Sequence, residues 1–290
     1  MFLQGGASTQ FSAIPLNFMN GSGKADYVVT GQWAKKAFAE AQRYGDVKAV
    51  ASSADKTFSY IPELNSDDFD KDADYFHICY NNTIYGTKYY KLPETGNVPL
   101  VADMSSSILS EEIDVSKFGM IYAGAQKNMG PAGLTVVIIR KDLIGEAQEI
   151  TPTMFKYSTH SENGSMFNTP PTYAIYILKL VLEWIESLGG IKVLEEQNKR
   201  KAKLLYDFLD QSAMFHPTVM GESRSLMNVP FVTGNDELDK KFIAECTNNG
   251  FVNIKGHRSV GGMRASIYNA MPLEGVEKLV DFMGKFEKEI

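Results

Sequence analysis

The sequence predicts an α/β fold built on a mostly parallel sheet. Short apolar segments of strand length recur through the first half of the chain, each bounded by turn residues. They alternate with segments of helical periodicity such as residues 34–44, and this alternation is typical of parallel sheets covered by helices. The predicted strands are residues 48–51, 75–79, 99–102, 120–123 and 134–139.

The second half of the chain changes character. Residues 171–189 have apolar side chains at helical spacing and end in a Gly-Gly pair, so they predict a long helix. Further helices are predicted at 191–212, 237–248 and 273–287, and strands at 226–230, 250–254 and 262–268. We therefore expect a large domain, 1–186, and a smaller C-terminal α+β domain, 187–290.

Composition and charge exclude several classes of protein. Of the 290 residues, 44% are hydrophobic and 22% charged, which is typical of a globular chain rather than a disordered one. The net charge of −6 argues against a nucleic-acid partner. Two cysteines and four scattered histidines predict neither a disulfide framework nor a metal site. The sequence has no signal-peptide or membrane-spanning pattern, so we expect a cytoplasmic protein without a membrane partner.

Polar residues follow several of the predicted strands, where ligands of open α/β sheets bind. Asn81–Thr83 follow one strand, Asp103 ends the next, and Gln126-Lys127 follow a third. The loop Gly5-Gly6-Ala7-Ser8-Thr9 precedes a helical pattern and offers free backbone N–H groups and two hydroxyls. That loop is either a phosphate site or a plain glycine turn with a capping hydroxyl.

Three side chains near these strand ends could act together. A lysine close to a buried sheet, such as Lys127, has a lowered pKa and can attack a carbonyl, or it extends to water. Asp103 could cap a helix, pair with a cation, or hold the ring nitrogen of a pyridoxal cofactor. Trp33 could cover that ring or simply pack in the core.

Five segments carry a resemblance to a known family. They are GGASTQFSAIPLN, ADMSSSILS, GAQKNMGPAG, NTPPTYAIY and GHRSVGGMRASIYNA. With them the chain closely resembles the phosphoserine aminotransferase family, class V enzymes of fold type I, from residue 2 to the C-terminus. The resemblance implies a large, mostly parallel sheet with helices on both faces, a smaller C-terminal domain, and pyridoxal 5′-phosphate as cofactor.

The resemblance also implies roles around that cofactor. Lys127 matches the lysine that forms a Schiff base with it, and Asp103 matches the partner of its pyridine nitrogen. Trp33 matches the aromatic residue stacked on the ring, and Thr83 the hydroxyl that bonds the phenolic oxygen. Contacts to the cofactor phosphate are implied for Ala7, Ser8 and Gln126.

A homodimer and a pair of substrates are implied as well. Asn168 and Thr169 match residues that reach the cofactor phosphate of the partner subunit, and His257 and Arg258 match the pair that recognises the substrate phosphate. The implied reaction moves the amino group of L-glutamate to 3-phosphohydroxypyruvate, a step of serine biosynthesis, and gives O-phospho-L-serine and 2-oxoglutarate. In some bacteria a parallel substrate serves vitamin B6 synthesis.

The resemblance has one clear departure. Family members begin with a segment of several dozen residues that this chain lacks, and that segment supplies an Arg for the substrate carboxylate. Some members also carry an Arg where this chain has Ser8. The alternatives are a shortened form that dimerises with weak or no activity, another class V aminotransferase, or a cysteine desulfurase. A desulfurase needs a mobile cysteine, and Cys246 lies in a predicted helix.

Overall fold

The computed structural model describes residues 1–65 and 67–290. The first half of the chain forms a seven-stranded sheet. Its strands lie in the spatial order β1-β7-β6-β5-β4-β2-β3. Its strands are β1 (Phe2–Leu3), β2 (Lys24–Val29), β3 (Asp46–Ser52), β4 (Tyr75–Cys79), β5 (Leu100–Asp103), β6 (Met120–Gly124) and β7 (Thr135–Ile139). Strands β2 to β6 are parallel to one another, whereas β7 is antiparallel to both of its neighbours, β6 and β1.

Helices cover both faces of this sheet because its strands are apolar on both sides. Alternate residues face a core formed with α1 (Gly6–Phe18) and α2 (Gln32–Ala41). The intervening residues face a second core that includes α4 (Thr172–Ser187). Tyr122 thus belongs to the first core and Ile121 to the second. A short helix, α3 (Tyr157–Glu162), precedes α4.

The C-terminal part has a core of its own. Three antiparallel strands, β8 (His216–Pro217), β9 (Asn228–Val232) and β10 (Met263–Ser266), form its sheet in the order β10-β9-β8. Helices α5 (Ile191–Gln211), α6 (Asp236–Asn248) and α7 (Leu273–Glu289) pack on it. Its centre is aromatic, with Phe215, Phe231 and Phe242 fully buried. Among the described residues, no helix is long and apolar enough to cross a membrane.

Most predicted elements are present, with ends shifted by a few residues. The strand at 75–79 is confirmed at both ends. Strand β2 was not predicted, because its sequence carries Asp26, a buried carboxylate that accepts the backbone N–H of Asp70 at 2.6 Å. The loop predicted at 5–9 is shorter than expected, since α1 already begins at Gly6.

The predicted strand at 250–254 is wrong. The backbone N–H of Phe251 bonds the carbonyl of Cys246, which closes the end of α6. Asn253 then adopts a φ of 61°, a left-handed conformation that breaks an extended strand. An isolated bridge between Lys255 and Met263 forms just after this segment.

Candidate active site

Lys127 lies in the turn after β6, over the carboxyl ends of the parallel strands. Its Nζ donates a hydrogen bond of 2.7 Å to Oγ1 of Thr83, which follows β4. Burial lowers the pKa of Lys127, and the positive charge of Arg264 lowers it further, while Asp103 and Cys79 raise it. A lysine with a lowered pKa has more of the neutral amine that reacts with carbonyl carbon.

Asp103 is the last residue of β5, between the strands that lead to Thr83 and Lys127. Its side chain is buried and accepts the backbone N–H of Ser105 at 2.8 Å. Burial raises the pKa of Asp103, whereas the Ser105 hydrogen bonds and the charge of Lys127 oppose that rise. No cation forms a salt bridge with Asp103 within the described residues. A buried carboxylate without a cationic partner fits a ligand that brings a protonated nitrogen.

Arg264 is a site residue that the sequence did not reveal. It lies on β10, and its Nη1 donates to the backbone carbonyl of Thr83 at 3.2 Å. Its Nε is buried and has no hydrogen-bond partner among the described residues. A half-buried guanidinium with an unused donor beside Lys127 fits an anionic ligand, and a carboxylate suits its planar geometry. The signal was only an arginine in a strand pattern, which many surface strands share.

Buried amide groups connect the two parts of the chain beside Arg264. Nδ2 of Asn81 donates to Oδ1 of Asn228 at 3.0 Å, so the loop after β4 is joined to β9. Nδ2 of Asn228 in turn donates to the hydroxyl of Tyr268 at 3.0 Å. Both asparagines are buried. These contacts fix β10, and Arg264 with it, over the end of β4.

His257 and Arg258 lie in the loop that leads into β10. Nδ1 of His257 is 2.7 Å from the hydroxyl of Ser259, and Arg258 is exposed. Burial lowers the pKa of His257, and so do the charges of Arg264, Arg258 and Lys36. The structure therefore brings His257 close to three cations. Such a cluster attracts a ligand with more than one negative charge.

Trp33 and the start of α1 flank the same edge of the sheet. Trp33 is the second residue of α2, and Nζ of Lys36 lies 4.7 Å from the centre of its ring. Ala7 and Ser8 are in the first turn of α1, where backbone N–H groups lack helical acceptors and no side chain caps the helix. Gln126 is exposed, and its side chain folds back against Gly124.

These groups together fit a ligand with three chemical features. Lys127 offers an amine that can react with a carbonyl group, and Asp103 offers a buried carboxylate to a cationic group. The uncapped start of α1 is suited to a phosphate. The free Nε of Arg264 leaves room for a second, anionic molecule.

Comparisons with known proteins decide the family. The family model described as aminotransferase class-V matches residues 1–279. A phosphoserine aminotransferase of Bacillus cereus is 58% identical over 289 residues, which is 100% of this chain and 80% of the relative. This chain belongs to the class V aminotransferases, in the phosphoserine aminotransferase family.

Solved structures of aminotransferases agree with the fold. The phosphoserine aminotransferase of Bacillus circulans subsp. alkalophilus superposes with a TM-score of 0.96 at 47% identity, covering 100% of this chain and 80% of that one. A phosphoserine aminotransferase of Trichomonas vaginalis, described as PLP bound, gives 0.92 at 40% identity, covering 98% and 81%. The predicted fold type I, the family and the class of enzyme are thereby confirmed.

Asn168, one of the two residues predicted to reach a partner's cofactor phosphate, lines a cavity together with Gly5 and Thr9 at the start of α1. Asn168 and Thr169 are exposed in the segment between α3 and α4. Neither forms a side-chain hydrogen bond within the part of the chain that the structure describes. Cys246 is buried on α6, and burial raises the pKa of its thiol to about 12. A raised thiol pKa opposes the nucleophilic role that a desulfurase would need.

Proposed function

We propose that this aminotransferase binds pyridoxal 5′-phosphate and transfers the amino group of L-glutamate to 3-phosphohydroxypyruvate. The products are 2-oxoglutarate and O-phospho-L-serine. The observation that carries the proposal is the position of Lys127, whose Nζ is hydrogen-bonded to Thr83 between buried Asp103 and Arg264. The names of the relatives support the substrate, and the PLP-bound relative supports the cofactor.

The residues present fit the cofactor. We assign Asp103 to its ring nitrogen, the Thr83 hydroxyl to its phenolic oxygen, and Trp33 to the face of its ring. Its phosphate is assigned to a set already located at the sheet edge: Ala7, Ser8 and Gln126. When bound, pyridoxal phosphate supplies a carbonyl that condenses with amines and a ring that withdraws electrons from the substrate α-carbon.

Lys127 then moves the proton on which transamination depends. Its lowered pKa keeps more of Nζ neutral, so the amine would accept the α-proton of the amino acid and later return a proton to the second reacting carbon. The hydrogen bond to Thr83 orients Nζ. Asp103 remains charged and thereby stabilises positive charge on the ring nitrogen.

The cations of the C-terminal part would bind the substrates. We assign Arg264 to the α-carboxylate, because its free Nε and its position beside Lys127 place a carboxylate next to the reacting carbon. His257 and Arg258 are assigned to the substrate phosphate. L-Glutamate has a second carboxylate in place of that phosphate, so one set of cations serves both substrates.

We also propose a homodimer. One face of α4 is apolar and exposed, with Tyr173, Tyr176, Leu180 and Trp184 three or four residues apart. The preceding segment exposes apolar side chains as well and carries Asn168 and Thr169, which we assign to the partner's cofactor phosphate. Sedimentation equilibrium tests the proposal, and a monomer at micromolar concentration would contradict it.

We also propose a division into two domains and a cytoplasmic location. The separate core of the C-terminal part supports a division into domains 1–186 and 187–290. Both cysteines are free and buried, which is compatible with the cytoplasm that the sequence suggests.

The decisive experiment is an absorption spectrum of the purified chain with pyridoxal phosphate, recorded before and after L-glutamate is added. We expect a long-wavelength band that L-glutamate shifts to the pyridoxamine form, and formation of O-phospho-L-serine when the acceptor is added. Lys127→Ala should lose both the band and the transfer, whereas Lys192→Ala, at an exposed position on α5, should keep them. Retained transfer in Lys127→Ala would overturn the mechanism. A band without transfer would favour a shortened form of weak activity.

A further inference from the structure

Two buried polar side chains lie behind Asp103, on the face of the sheet that packs against α1. Tyr122 is directly opposite Asp103 in the register of β5 and β6. His77 is on β4, and its Nε2 is 2.9 Å from the hydroxyl of Tyr122. Both side chains are fully buried, at 0% and 1% exposure. Because Asp103 and Tyr122 are partners in register, their side chains leave the same face of the sheet, and the Tyr122 hydroxyl lowers the pKa of Asp103 against the effect of burial.

The position of the proton on His77 can be inferred from its surroundings. Nδ1 of His77 is buried and has no partner among the described residues. A proton on Nδ1 would be a buried donor without an acceptor, which costs more than an unused lone pair. Burial also lowers the pKa of His77 to about 3, so the ring is neutral and carries one proton only. That proton is therefore on Nε2, and Nε2 donates to the hydroxyl of Tyr122.

This tautomer decides what the hydroxyl of Tyr122 does. Its oxygen accepts from His77, so its own proton is free to be donated to the Asp103 carboxylate. We propose that His77 and Tyr122 are positioning residues that hold Asp103 as an oriented anion through a one-way chain of hydrogen bonds, from Nε2–H of His77 to the hydroxyl of Tyr122 and on to Asp103. The proposal rests on the role assigned to Asp103 above.

The groups around these hydrogen bonds offer few other ways to stabilise the Asp103 carboxylate. Asp103 also faces Ser105, Lys127 on the turn after β6, and Cys79 on β4. From β2, the ring of Tyr27 stacks on His77, with centroids 4.6 Å apart.

Beyond these groups, the ring of Phe11 on α1 packs edge-to-face against the ring of Tyr122, and Tyr157 of α3 lies nearby. Lys127 is the cation with the largest effect on the pKa of Asp103. When Lys127 is engaged with a substrate or cofactor, the neutral donors are what remain.

The test is to titrate the side chain of Asp103 in the full chain by carbon-13 NMR, with aspartate labelled at Cγ and Asp103→Asn used for assignment. In Tyr122→Phe we expect the pKa of Asp103 to rise by about one to two pH units, because a hydrogen bond to a charged group is lost. His77→Phe should give a smaller rise in the same direction. His77→Gln should stay near the wild type, since its amide can still donate to Tyr122.

The matched control is Tyr27→Phe. It removes a buried hydroxyl from the same face, one that bonds Tyr75 at 2.7 Å and not Asp103, and it leaves the ring stacked on His77. This variant should leave the pKa of Asp103 unchanged. An unchanged pKa in both Tyr122→Phe and His77→Phe, or an equal rise in Tyr27→Phe, would overturn the proposal. If Tyr122→Phe fails to fold, the contrast between His77→Phe and His77→Gln decides.

A second readout connects the chain of hydrogen bonds to the cofactor. Pyridoxal phosphate should bind Tyr122→Phe roughly tenfold more weakly than the wild type, as expected for the loss of one charged hydrogen bond. The NMR titration needs neither cofactor nor turnover, so it separates the two proposals. If the pKa of Asp103 shifted as expected but the protein bound no cofactor, the hydrogen bonds from His77 through Tyr122 to Asp103 would be supported. The proposed function would be contradicted.

Discussion

The carboxyl edge of the large sheet and the loop that leads into β10 both supply charges to the site, but they hold them differently. At the sheet edge, Asp103 is buried and Lys127 is partly buried, and burial shifts the pKa of each. In the loop, Arg258 is exposed and His257 is only partly covered. Arg264, on β10, stands between these two extremes, with one nitrogen bonded and another free.

The difference shows where each region's charge state is set. Asp103 depends on neighbours that are already in place, Ser105 and the neighbouring hydroxyl groups. Burial lowers the pKa of His257, and the positive charges of Arg264, Arg258 and Lys36 lower it further, so these cations repel a proton on its ring. A doubly charged anion would relieve that repulsion. We therefore expect substitutions at the sheet edge to affect chemistry with every substrate, and substitutions in the loop to depend on which anion is bound.

The largest effect is expected from Asp103→Asn. The neutral amide keeps the shape of the side chain and removes the charge that we assign to the ring nitrogen, so the half-reaction with L-glutamate should slow by roughly 100- to 1,000-fold. The chain without cofactor should be as stable as the wild type or more so, because burial makes the carboxylate costly. Rapid-mixing absorbance and thermal unfolding measure the two quantities.

The control for this variant is Asp207→Asn, an exposed carboxylate on α5 that pairs with Lys203. It should change neither quantity appreciably. If Asp103→Asn lowered stability and left the half-reaction intact, Asp103 would be a structural residue, and the contrast between the two regions would be lost.

The sheet edge was largely predictable from sequence, and the loop was not. Parallel strands must be apolar, so the first polar residues after them mark the edge where ligands bind, and this rule pointed to Asp103, Thr83 and Lys127. Arg264 was not predicted because apolar and polar residues alternate in its strand as in any half-buried strand. Only the pairing of β9 with β10 directs its side chain towards Thr83. The contacts assigned to Asn168 and Thr169 depend on a second chain, which no single-chain pattern specifies.

The wrong strand at 250–254 has a local cause. Its residues Phe251, Val252 and Ile254 are apolar and β-prone, but the left-handed turn at Asn253 depends on how α6 ends. Apolar runs this short do not distinguish a strand from a loop that covers the core. The deletion or insertion of one residue here would shift the loop that carries His257 and Arg258.

An intermediate effect should separate Arg264 from Arg258. Arg264→Gln should weaken both L-glutamate and the phosphorylated acceptor by about 2–4 kcal/mol, because it leaves a carboxylate without its buried partner. Arg258→Gln should weaken the phosphorylated acceptor by about 1–2 kcal/mol and L-glutamate less, since an exposed arginine is screened by water. Steady-state values of kcat/KM for each substrate measure these losses.

The conservative variant Arg264→Lys serves as the control for charge. Lysine keeps the positive charge but has no fork of nitrogens, so it should recover only part of the activity lost in the glutamine variant. Equal losses for the two substrates in Arg258→Gln would contradict its assignment to the phosphate. A loss confined to one substrate in Arg264→Gln would contradict its assignment to the shared carboxylate.

The smallest expected effect is a change in the pKa of a histidine when an anion binds, and it is compared between His257 in the loop and His77 in the sheet. Burial and, after it, the neighbouring cations lower the pKa of His257, so the ring is mostly neutral at pH 7. A bound dianion should raise that pKa and draw a proton onto the ring. Affinity for such an anion should therefore rise as the pH falls through the raised pKa, and level off once the free protein is itself protonated. Sulfate is a suitable probe because it keeps both charges across this range.

Proton NMR of the histidine side chains follows both residues at once. With sulfate, the pKa of His257 should rise by about one unit and that of His77 should not move, because His77 is fully buried and faces Tyr122. His257→Gln should flatten the pH dependence of sulfate binding, which calorimetry measures. If sulfate raised the pKa of His77 as much as that of His257, the anion bound at the loop would also control the charges at the sheet edge. The contrast between the two regions would then be wrong.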